Sequence, residues 1–179
     1  LIYTSGTTGR SKGAMLSHRS ILFMADALQR ANPIRPDDEG VSYLPFAHVY
    51  ENLISVFLPL RTGSVVSFVE SPETLFANLR EVSPTVLAGV PRVWEKLRSV
   101  VELRMQDSTR LKRHCFEWAL GVGRRSSRAI QSERGATPSL ALAHRLASLT
   151  VLGPLKRQLG LDRVRLALCG AAPASPDMF

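Results

Sequence analysis

Residues 1–18 read Leu1-Ile-Tyr-Thr-Ser-Gly-Thr-Thr-Gly-Arg-Ser-Lys-Gly-Ala-Met-Leu-Ser-His18, and this stretch decides which fold the chain can adopt. A short apolar start typical of a β-strand leads into a loop rich in glycine and hydroxyl residues. Ser17 then predicts the start of a helix, because its hydroxyl oxygen can accept a hydrogen bond from an unpaired amide of the first turn. A strand, a Gly-rich loop and a helix in this order are suited to holding phosphate oxygens.

The loop offers three kinds of donor to a phosphate. Gly6 and Gly9 allow the backbone to come close and to turn its amides toward an anion. Lys12 adds a positive charge on a flexible side chain. The hydroxyl donors are Thr4, Ser5, Thr7 and Thr8. The alternative, a flexible linker, fits less well because apolar segments flank the loop on both sides.

The loop is not a Walker A motif, which requires Gly directly before the Lys and Ser or Thr directly after it. Here Ser11 precedes Lys12 and Gly13 follows it. Residues 3–13, Tyr-Thr-Ser-Gly-Thr-Thr-Gly-Arg-Ser-Lys-Gly, instead resemble the phosphate-binding signature of the adenylate-forming superfamily, with Ser11 in place of the usual Pro. That superfamily includes acyl-CoA synthetases, peptide-synthetase adenylation domains and beetle luciferases.

The resemblance implies a role for each part of the loop. Residues from Thr4 to Lys12 would bind the β- and γ-phosphates of ATP, with Lys12 as a catalytic residue. Thr7 or Thr8 would lie near Mg²⁺, whose acidic protein ligand is expected outside this sequence. Mg²⁺ prefers oxygen ligands, so a threonine hydroxyl and phosphate oxygens suit it.

A second stretch, Tyr43-Leu-Pro-Phe-Ala-His-Val-Tyr-Glu51, follows a predicted strand. From its chemistry alone, His48 could be structural or functional. The stretch resembles the superfamily motif that borders the carboxylate-substrate pocket, in the form typical of long-chain acyl-CoA synthetases. The resemblance implies that His48 orients the substrate carboxylate and that Tyr50 lines or gates the acyl channel. Glu51 is interpreted as a structural acid in a first helical turn, where it favours the helix dipole.

Two further stretches extend the resemblance. Gly89-Val-Pro-Arg-Val-Trp-Glu-Lys-Leu97 is similar to a segment of the long-chain subgroup, although a core position for Trp94 at a helix start is the preferred interpretation. Residues 168–175, Leu-Cys-Gly-Ala-Ala-Pro-Ala-Ser, resemble a stretch whose small residues let adenosine and the acyl group approach the backbone. A plain β-to-α turn is the alternative. The implied nucleotide-binding residues are Gly170, Ala171, Ala172 and Pro173, and Gly170 would also contact the acyl group.

Strands and helices alternate between Ser17 and Ala88. Helices are predicted over 17–31, 52–60 and 71–82, and strands over 41–44, 64–69 and 85–88. Short connections between them predict a mainly parallel sheet flanked by helices, an α/β fold. Such sheets bind ligands at the carboxyl ends of their strands, so the opening loop is expected to follow the first strand there. A helical insertion is predicted around 105–159, before a strand at 164–168 returns to the sheet.

The net charge of +8 is unevenly distributed, because residues 92–134 contain eleven basic and five acidic side chains, a net charge of +6. This segment could attract nucleic acid, anionic lipid or a polyanion such as CoA, or it could be a solvated helix face. Nucleic acid is disfavoured because no stacking aromatics alternate with the basic residues. Peripheral contact with an anionic membrane is a hypothesis. No apolar run approaches the ~18 residues of a membrane span.

Cys115 and Cys169 have no partner at metal-ligand spacing, so reduced thiols in a cytoplasmic protein are expected. Residues 1–179 are interpreted as an internal fragment, a partial adenylation domain belonging to the large N-terminal domain of the adenylate-forming fold, without the C-terminal lid domain. The expected activity is ATP-dependent conversion of a long-chain fatty acid to an acyl-adenylate and then to a CoA thioester. Two alternatives stay open: an enzyme that loads a carrier protein, and a non-catalytic nucleotide- or anion-binding module. The sequence fixes neither acyl chain length nor oligomeric state.

Overall fold

A computed structural model describes residues 2–4, 11–132 and 135–173 of the chain. The strands are β1 (Ile2–Thr4), β2 (Lys12–Ala14), β3 (Glu39–Ser42), β4 (Val65–Phe68), β5 (Val86–Gly89) and β6 (Leu166–Cys169). The α-helices are α1 (His18–Ala31), α2 (Val49–Asn52), α3 (Leu58–Thr62), α4 (Leu75–Val82), α5 (Pro91–Gln106), α6 (Arg110–Gln131), α7 (Pro138–Ala147) and α8 (Gly153–Leu159). Two π-helical segments, Leu53–Phe57 and Ser148–Leu152, join α2 to α3 and α7 to α8.

The strands β3 to β6 form the parallel part of the fold. β3 pairs with β4 and β5 pairs with β6, both in parallel. The two pairs adjoin at their starts, where the Thr85 amide donates to the Glu39 carbonyl oxygen at 2.9 Å. They also adjoin at their ends, where the Tyr43 hydroxyl donates to the Ala88 carbonyl oxygen at 3.3 Å. In the described part of the chain each pair is a two-stranded sheet of its own, and the two lie side by side in the order β4-β3-β5-β6. They are together called the parallel sheet below, and the carboxyl ends of β3, β5 and β6 lie at one edge of it.

Helices cover this sheet on two sides, as predicted. One cluster of buried side chains joins Val41 and Leu87 of the sheet to Leu75 and Leu79 of α4. A second cluster joins α1, α3 and the loop after α1 and packs on the neighbouring strand residues, and it contains Ala25, Ile34, Leu58, Val86 and Leu166. Apolar burial on both sides accounts for the β-branched and leucine-rich strands.

The predicted helical insertion is confirmed and is longer than predicted. Helices α5 to α8 connect β5 to β6, although these two strands pair directly with each other. The insertion has its own core, in which Ala119 and Val122 of α6 pack against Ala147 of α7. The π-helical segment Ser148–Leu152 lies between α7 and α8 within this insertion.

The first strand does not lie where the sequence predicted. β1 pairs antiparallel with β2, with Ile2 opposite Ala14 and Thr4 opposite Lys12, and in the described part of the chain these two strands form a sheet of their own. The prediction that the opening loop follows a strand of the parallel sheet is therefore wrong. The predicted cap at Ser17 is confirmed, since its hydroxyl accepts from the Ser20 amide at 3.1 Å.

The fourth helix also begins later than predicted. Thr74, not Ser71, precedes its first residue, and the Thr74 hydroxyl accepts from the Ser71 amide at 3.1 Å. The Ser71-Pro72 pair forms a turn before the helix instead of capping it.

A buried ion pair ties the start of the sheet together. Asp38, only 3% exposed, accepts from the Arg165 guanidinium at 2.8 Å, from the Thr85 hydroxyl at 2.8 Å and from the Arg35 amide at 2.7 Å. The bond from Arg165 is the main reason that the pKa of the Asp38 carboxyl lies well below its usual range. A carboxyl with a depressed pKa stabilises the fold above its unfolded pKa of about 4, and this contribution is lost as the pH falls further.

We expect Asp38→Asn to lower the free energy of unfolding at neutral pH by roughly 3 kcal/mol, because it leaves Arg165 without its charged partner. The variant should also lose less stability than the wild type as the pH falls below about 4. Urea denaturation between pH 3 and pH 7 measures both effects. Asp26→Asn is the matched control, since Asp26 pairs with Arg61 at the surface and its loss should cost less than about 1 kcal/mol. Equal losses in both variants would contradict a special role for the buried pair.

Candidate functional site at the carboxyl ends of the strands

Three strand ends meet at the candidate site and are held by backbone and tyrosine hydrogen bonds. The Gly170 amide, directly after β6, donates to the Gly89 carbonyl oxygen at 3.1 Å. The Val90 amide donates to the Tyr43 hydroxyl at 3.1 Å, which connects the end of β3 to the end of β5. Burial is the main cause that raises the pKa of Tyr43 to about 12, so this hydroxyl keeps its proton at neutral pH.

Tyr50 and Gly170, which belong to separate stretches of sequence, are brought together. A Cβ atom placed on Gly170 would lie 3.4 Å from the Tyr50 hydroxyl oxygen and 3.5 Å from its ring. The close approach leaves little room for a side chain at position 170. Burial is the largest cause that raises the pKa of Tyr50, followed by the neighbouring Cys169 and Glu51.

His48 lies at the start of α2 with an exposed side chain. It occupies the N-cap position, but its side chain makes no capping hydrogen bond. The preceding turn is held instead by Asn52, whose side-chain amide donates to the Phe46 carbonyl oxygen and, at 3.3 Å, to that of His48. The imidazole therefore stands at the edge of the site without serving the helix as a cap.

Gly89 and Trp94 form the side of the site next to α5. A Cβ atom on Gly89 would lie 2.5 Å from the indole nitrogen of Trp94, so any side chain there would displace the ring. Trp94 packs against the cluster of Val41 and Leu87, in agreement with the interpretation of this residue as part of the core. Its indole nitrogen is buried, and it has no hydrogen-bond partner in the described part of the chain.

Glu51 is the residue whose position the sequence did not reveal. It lies in the first turn of α2, as predicted, but it is completely buried. Its Oε1 accepts from the Ser42 hydroxyl at 2.5 Å and from the Ser55 hydroxyl at 2.7 Å. Its Oε2 is buried and has no partner among residues 2–4, 11–132 and 135–173. An unsatisfied buried polar atom costs about 1–3 kcal/mol, and a charged one more. Ser55, four positions after Glu51, is a local sequence feature that indicates a partner for this carboxyl group.

The turn after β6 contains the other predicted nucleotide-binding residues. Ala171, Ala172 and Pro173 are exposed, and Ala171 has a φ of +67°. A left-handed conformation costs a non-glycine residue about 1–2 kcal/mol, and such residues are frequent at ligand sites. The turn beside Tyr50 is thus exposed and contains one strained residue, Ala171. Exposure leaves its backbone accessible to a ligand.

The described residues include only the two ends of the phosphate loop. Lys12 lies on β2, exposed, opposite Thr4 on β1, so the β1–β2 pairing brings both ends of the loop together. Five of the predicted phosphate or Mg²⁺ ligands lie outside the described residues: Ser5, Gly6, Thr7, Thr8 and Gly9. Within the described residues, no group of three or more His, Cys, Asp or Glu side chains could hold a metal ion.

A family model named "AMP-binding enzyme" matches residues 1–179, the whole of the chain. The chain belongs to the AMP-binding enzyme family. This confirms the resemblance that the opening loop first indicated.

Curated relatives of this AMP-binding chain are fatty-acid–CoA ligases. It is 35% identical over 181 residues to the long-chain-fatty-acid–CoA ligase ACSBG2 of Homo sapiens, covering 99% of this chain and 27% of that protein. It is 36% identical over 174 residues to the putative fatty-acid–CoA ligase fadD11 of Mycobacterium tuberculosis, covering 97% of this chain and 30% of that protein. The chain therefore spans between a quarter and a third of the length of these relatives.

Solved structures support the fold. The chain superposes on the adenylation domain of a carboxylate reductase from Mycobacterium chelonae with a TM-score of 0.58 at 22% identity, covering 99% of this chain and 23% of that one. The N-terminal domain of FACL13 from Mycobacterium tuberculosis gives a TM-score of 0.58 at 17% identity, covering 99% of this chain and 31% of that one. At these identities the likeness establishes the AMP-binding fold alone.

Proposed function

We propose that this AMP-binding chain is part of an acyl-CoA synthetase that activates long-chain fatty acids. The fatty carboxylate attacks the α-phosphorus of ATP, which gives acyl-adenylate and pyrophosphate. The thiol of CoA then attacks the acyl carbon, and AMP leaves. The observation that supports this proposal best is the contact of Tyr50 with Gly170 at the strand ends, because it joins a carboxylate-side motif to a nucleotide-side motif. The names of the curated relatives favour a fatty acid as substrate.

Each part of the site has a proposed role in positioning and charge stabilisation. Lys12 and the loop between Thr4 and Lys12 bind the β- and γ-phosphates, while Gly170 and the following residues Ala171, Ala172 and Pro173 approach the adenosine. Thr7 or Thr8 contributes an oxygen ligand to Mg²⁺, which suits that ion's preference for oxygen. His48 orients the fatty carboxylate, and Tyr50 lines the acyl channel.

Two alternatives and the domain boundary remain proposals. Because the chain spans less than a third of its relatives, we infer that residues 1–179 are one part of a larger adenylation domain, with the lid domain encoded outside them. A carrier protein could replace CoA as acceptor. A non-catalytic anion-binding module is the alternative of another class, and it would leave the Tyr50–Gly170 contact without a function.

We expect Lys12→Ala in the complete gene product to slow fatty-acid-dependent ATP–pyrophosphate exchange by about a hundredfold, since it removes a charge from the developing pyrophosphate. The exchange of labelled pyrophosphate into ATP measures the rate. Arg30→Ala, which removes an exposed cation at the other end of α1, is the control and should leave the rate within twofold of the wild type. A Lys12→Ala rate equal to that of the control would favour the non-catalytic module.

The exposed face of α6 supports a second property, contact with an anionic membrane surface. Its exposed basic side chains are Arg110, Lys112, Arg113, Arg124, Arg125 and Arg128, against one exposed acid, Glu117. Leu111, Trp118 and Ile130 of the same helix are also exposed. Arginine together with exposed leucine and tryptophan is typical of helices that lie at a membrane interface. In the described part of the chain, no helix is long and apolar enough to cross a membrane. We propose a cytoplasmic protein in peripheral contact with lipid, and the free thiols of Cys115 and Cys169 fit that location.

We expect the triple variant Arg124→Gln, Arg125→Gln, Arg128→Gln to bind phosphatidylserine vesicles with a partition coefficient at least about tenfold lower than that of the wild type. The reason is that each basic residue near an anionic surface contributes about 1 kcal/mol. Sedimentation of the protein with the vesicles measures this coefficient. The control variant Arg30→Gln, Lys156→Gln, Arg157→Gln makes the same change in net charge elsewhere. Sedimentation that is unchanged in the α6 variant, or reduced equally in both, would exclude α6 as the contact surface.

A further inference from the structure

Glu51 is a buried carboxylate that has no part in the proposed chemistry. Its Oε1 accepts from Ser42 at the end of β3 and from Ser55 in the π-helical segment, while Glu51 itself belongs to the first turn of α2. One side chain therefore ties a strand end, a short helix and the following π-helical segment together.

The short helix α2 needs such a tie. It contains four residues, and its N-cap residue His48 makes no side-chain capping bond. A single helical turn has little stability of its own, so tertiary contacts must fix it. Besides Glu51, the Asn52 side chain also holds the start of α2, since its amide donates to the carbonyl oxygens of Phe46 and His48.

A purely structural role does not explain the choice of a carboxylate. Replacing a whole set of buried hydrogen-bonded polar side chains by apolar ones of similar shape is often nearly neutral, so stability alone does not require a carboxyl group here. Oε2 has no partner in the described part of the chain, so part of the cost of burying the carboxylate is not offset there. The neighbouring residue Tyr50 provides another explanation, because its ring and hydroxyl lie against Gly170.

We propose that Glu51 is a positioning residue that holds Tyr50 against the Gly170 turn and thereby fixes the wall of the acyl channel that Tyr50 lines. This inference rests on the proposed function, since it assigns Tyr50 to the acyl side of the site. Glu51 touches no reacting atom and acts through Tyr50.

The test uses the complete gene product and compares Glu51→Met, Glu51→Gln and the control Glu81→Met, an exposed position on α4. Glu51→Met should raise the KM for fatty acid in pyrophosphate exchange at least about tenfold and leave the KM for ATP within twofold. It should also unfold at a lower urea concentration, because the buried Ser42 and Ser55 hydroxyls lose their acceptor. In Glu51→Gln the KM for fatty acid should lie within about threefold of the wild-type value, because the glutamine amide oxygen can still accept from both serines. Unchanged kinetics in Glu51→Met would overturn the proposal.

Action through Tyr50 gives a second, sharper criterion. In a Tyr50→Ala background, Glu51→Met should have no further effect on the KM for fatty acid, since coupled residues are not additive. An equal increase in both backgrounds would show that Glu51 acts independently of Tyr50 and would contradict the proposal. If Glu51→Met does not fold, the triple variant Ser42→Ala, Glu51→Met, Ser55→Ala removes the acceptor together with both donors, leaves no buried polar group unpaired among them, and should give the same increase in KM.

A readout independent of activity separates this inference from the proposed function. Cys169 precedes Gly170, and in a Cys115→Ser background it is the remaining thiol of residues 1–179, so its alkylation is measured by mass spectrometry of the peptide that contains it. Loosening of Tyr50 in Glu51→Met should raise the rate of Cys169 alkylation by iodoacetamide at least about threefold, whereas Glu81→Met should not. An unchanged alkylation rate counts against the positioning role even if the wild type shows no exchange. If the wild type shows no exchange but Cys169 is alkylated faster in Glu51→Met, the fatty-acid function is rejected. The role of Glu51 in positioning Tyr50 is then still supported.

Discussion

The parallel pairing of β5 with β6 is the constraint on which the rest of the structure depends. These strands are far apart in the sequence, yet Gly89 lies opposite Cys169, and the Gly170 amide bonds to the Gly89 carbonyl oxygen. The helical insertion between them must therefore leave the sheet and return to the same edge. It can do so because α6 and α7 bury an apolar cluster of their own away from the sheet. The pairing also brings the small-residue turn at Gly170 beside β5.

The site follows from this edge and from the need for close approach. Tyr50 lies next to Gly170, and Trp94 covers Gly89 so closely that a side chain at position 89 would displace the ring. Tyr43 links β3 to β5 with its hydroxyl, and the buried Glu51 links β3 to α2. Polar side chains at the strand ends thus serve mainly to fix the backbone, which leaves the exposed His48 and the turn after β6 open to ligands. Such pre-organisation suits a reaction in which positioning supplies most of the rate.

Much of this organisation could be predicted from the sequence, because it depends on local patterns. The Ser17 cap, the β-branched strand at 65–68 and the helical insertion all follow from short-range propensities, and the loop signature identified the AMP-binding family. The site residues of the loop stay predictions, since Ser5 to Gly9 lie outside the described residues.

What could not be predicted depends on contacts between distant segments. Nothing local distinguishes a first strand that joins the parallel sheet from one that pairs back on Lys12–Ala14. Helix α4 begins after Thr74 and not at Ser71, because the Thr74 hydroxyl bonds back to the Ser71 amide and carbonyl oxygen, and propensity alone does not reveal this turn. The complete burial of Glu51 arises from Ser42 on another element, which a helical pattern around position 51 does not contain. The central claim, that this edge of the sheet activates a long-chain fatty carboxylate, is tested most directly by ATP–pyrophosphate exchange of the complete gene product across acids of increasing chain length. We expect exchange that rises from acetate to long-chain fatty acids and is absent with amino acids; exchange that depends on amino acids, or on no carboxylic acid at all, would contradict the account.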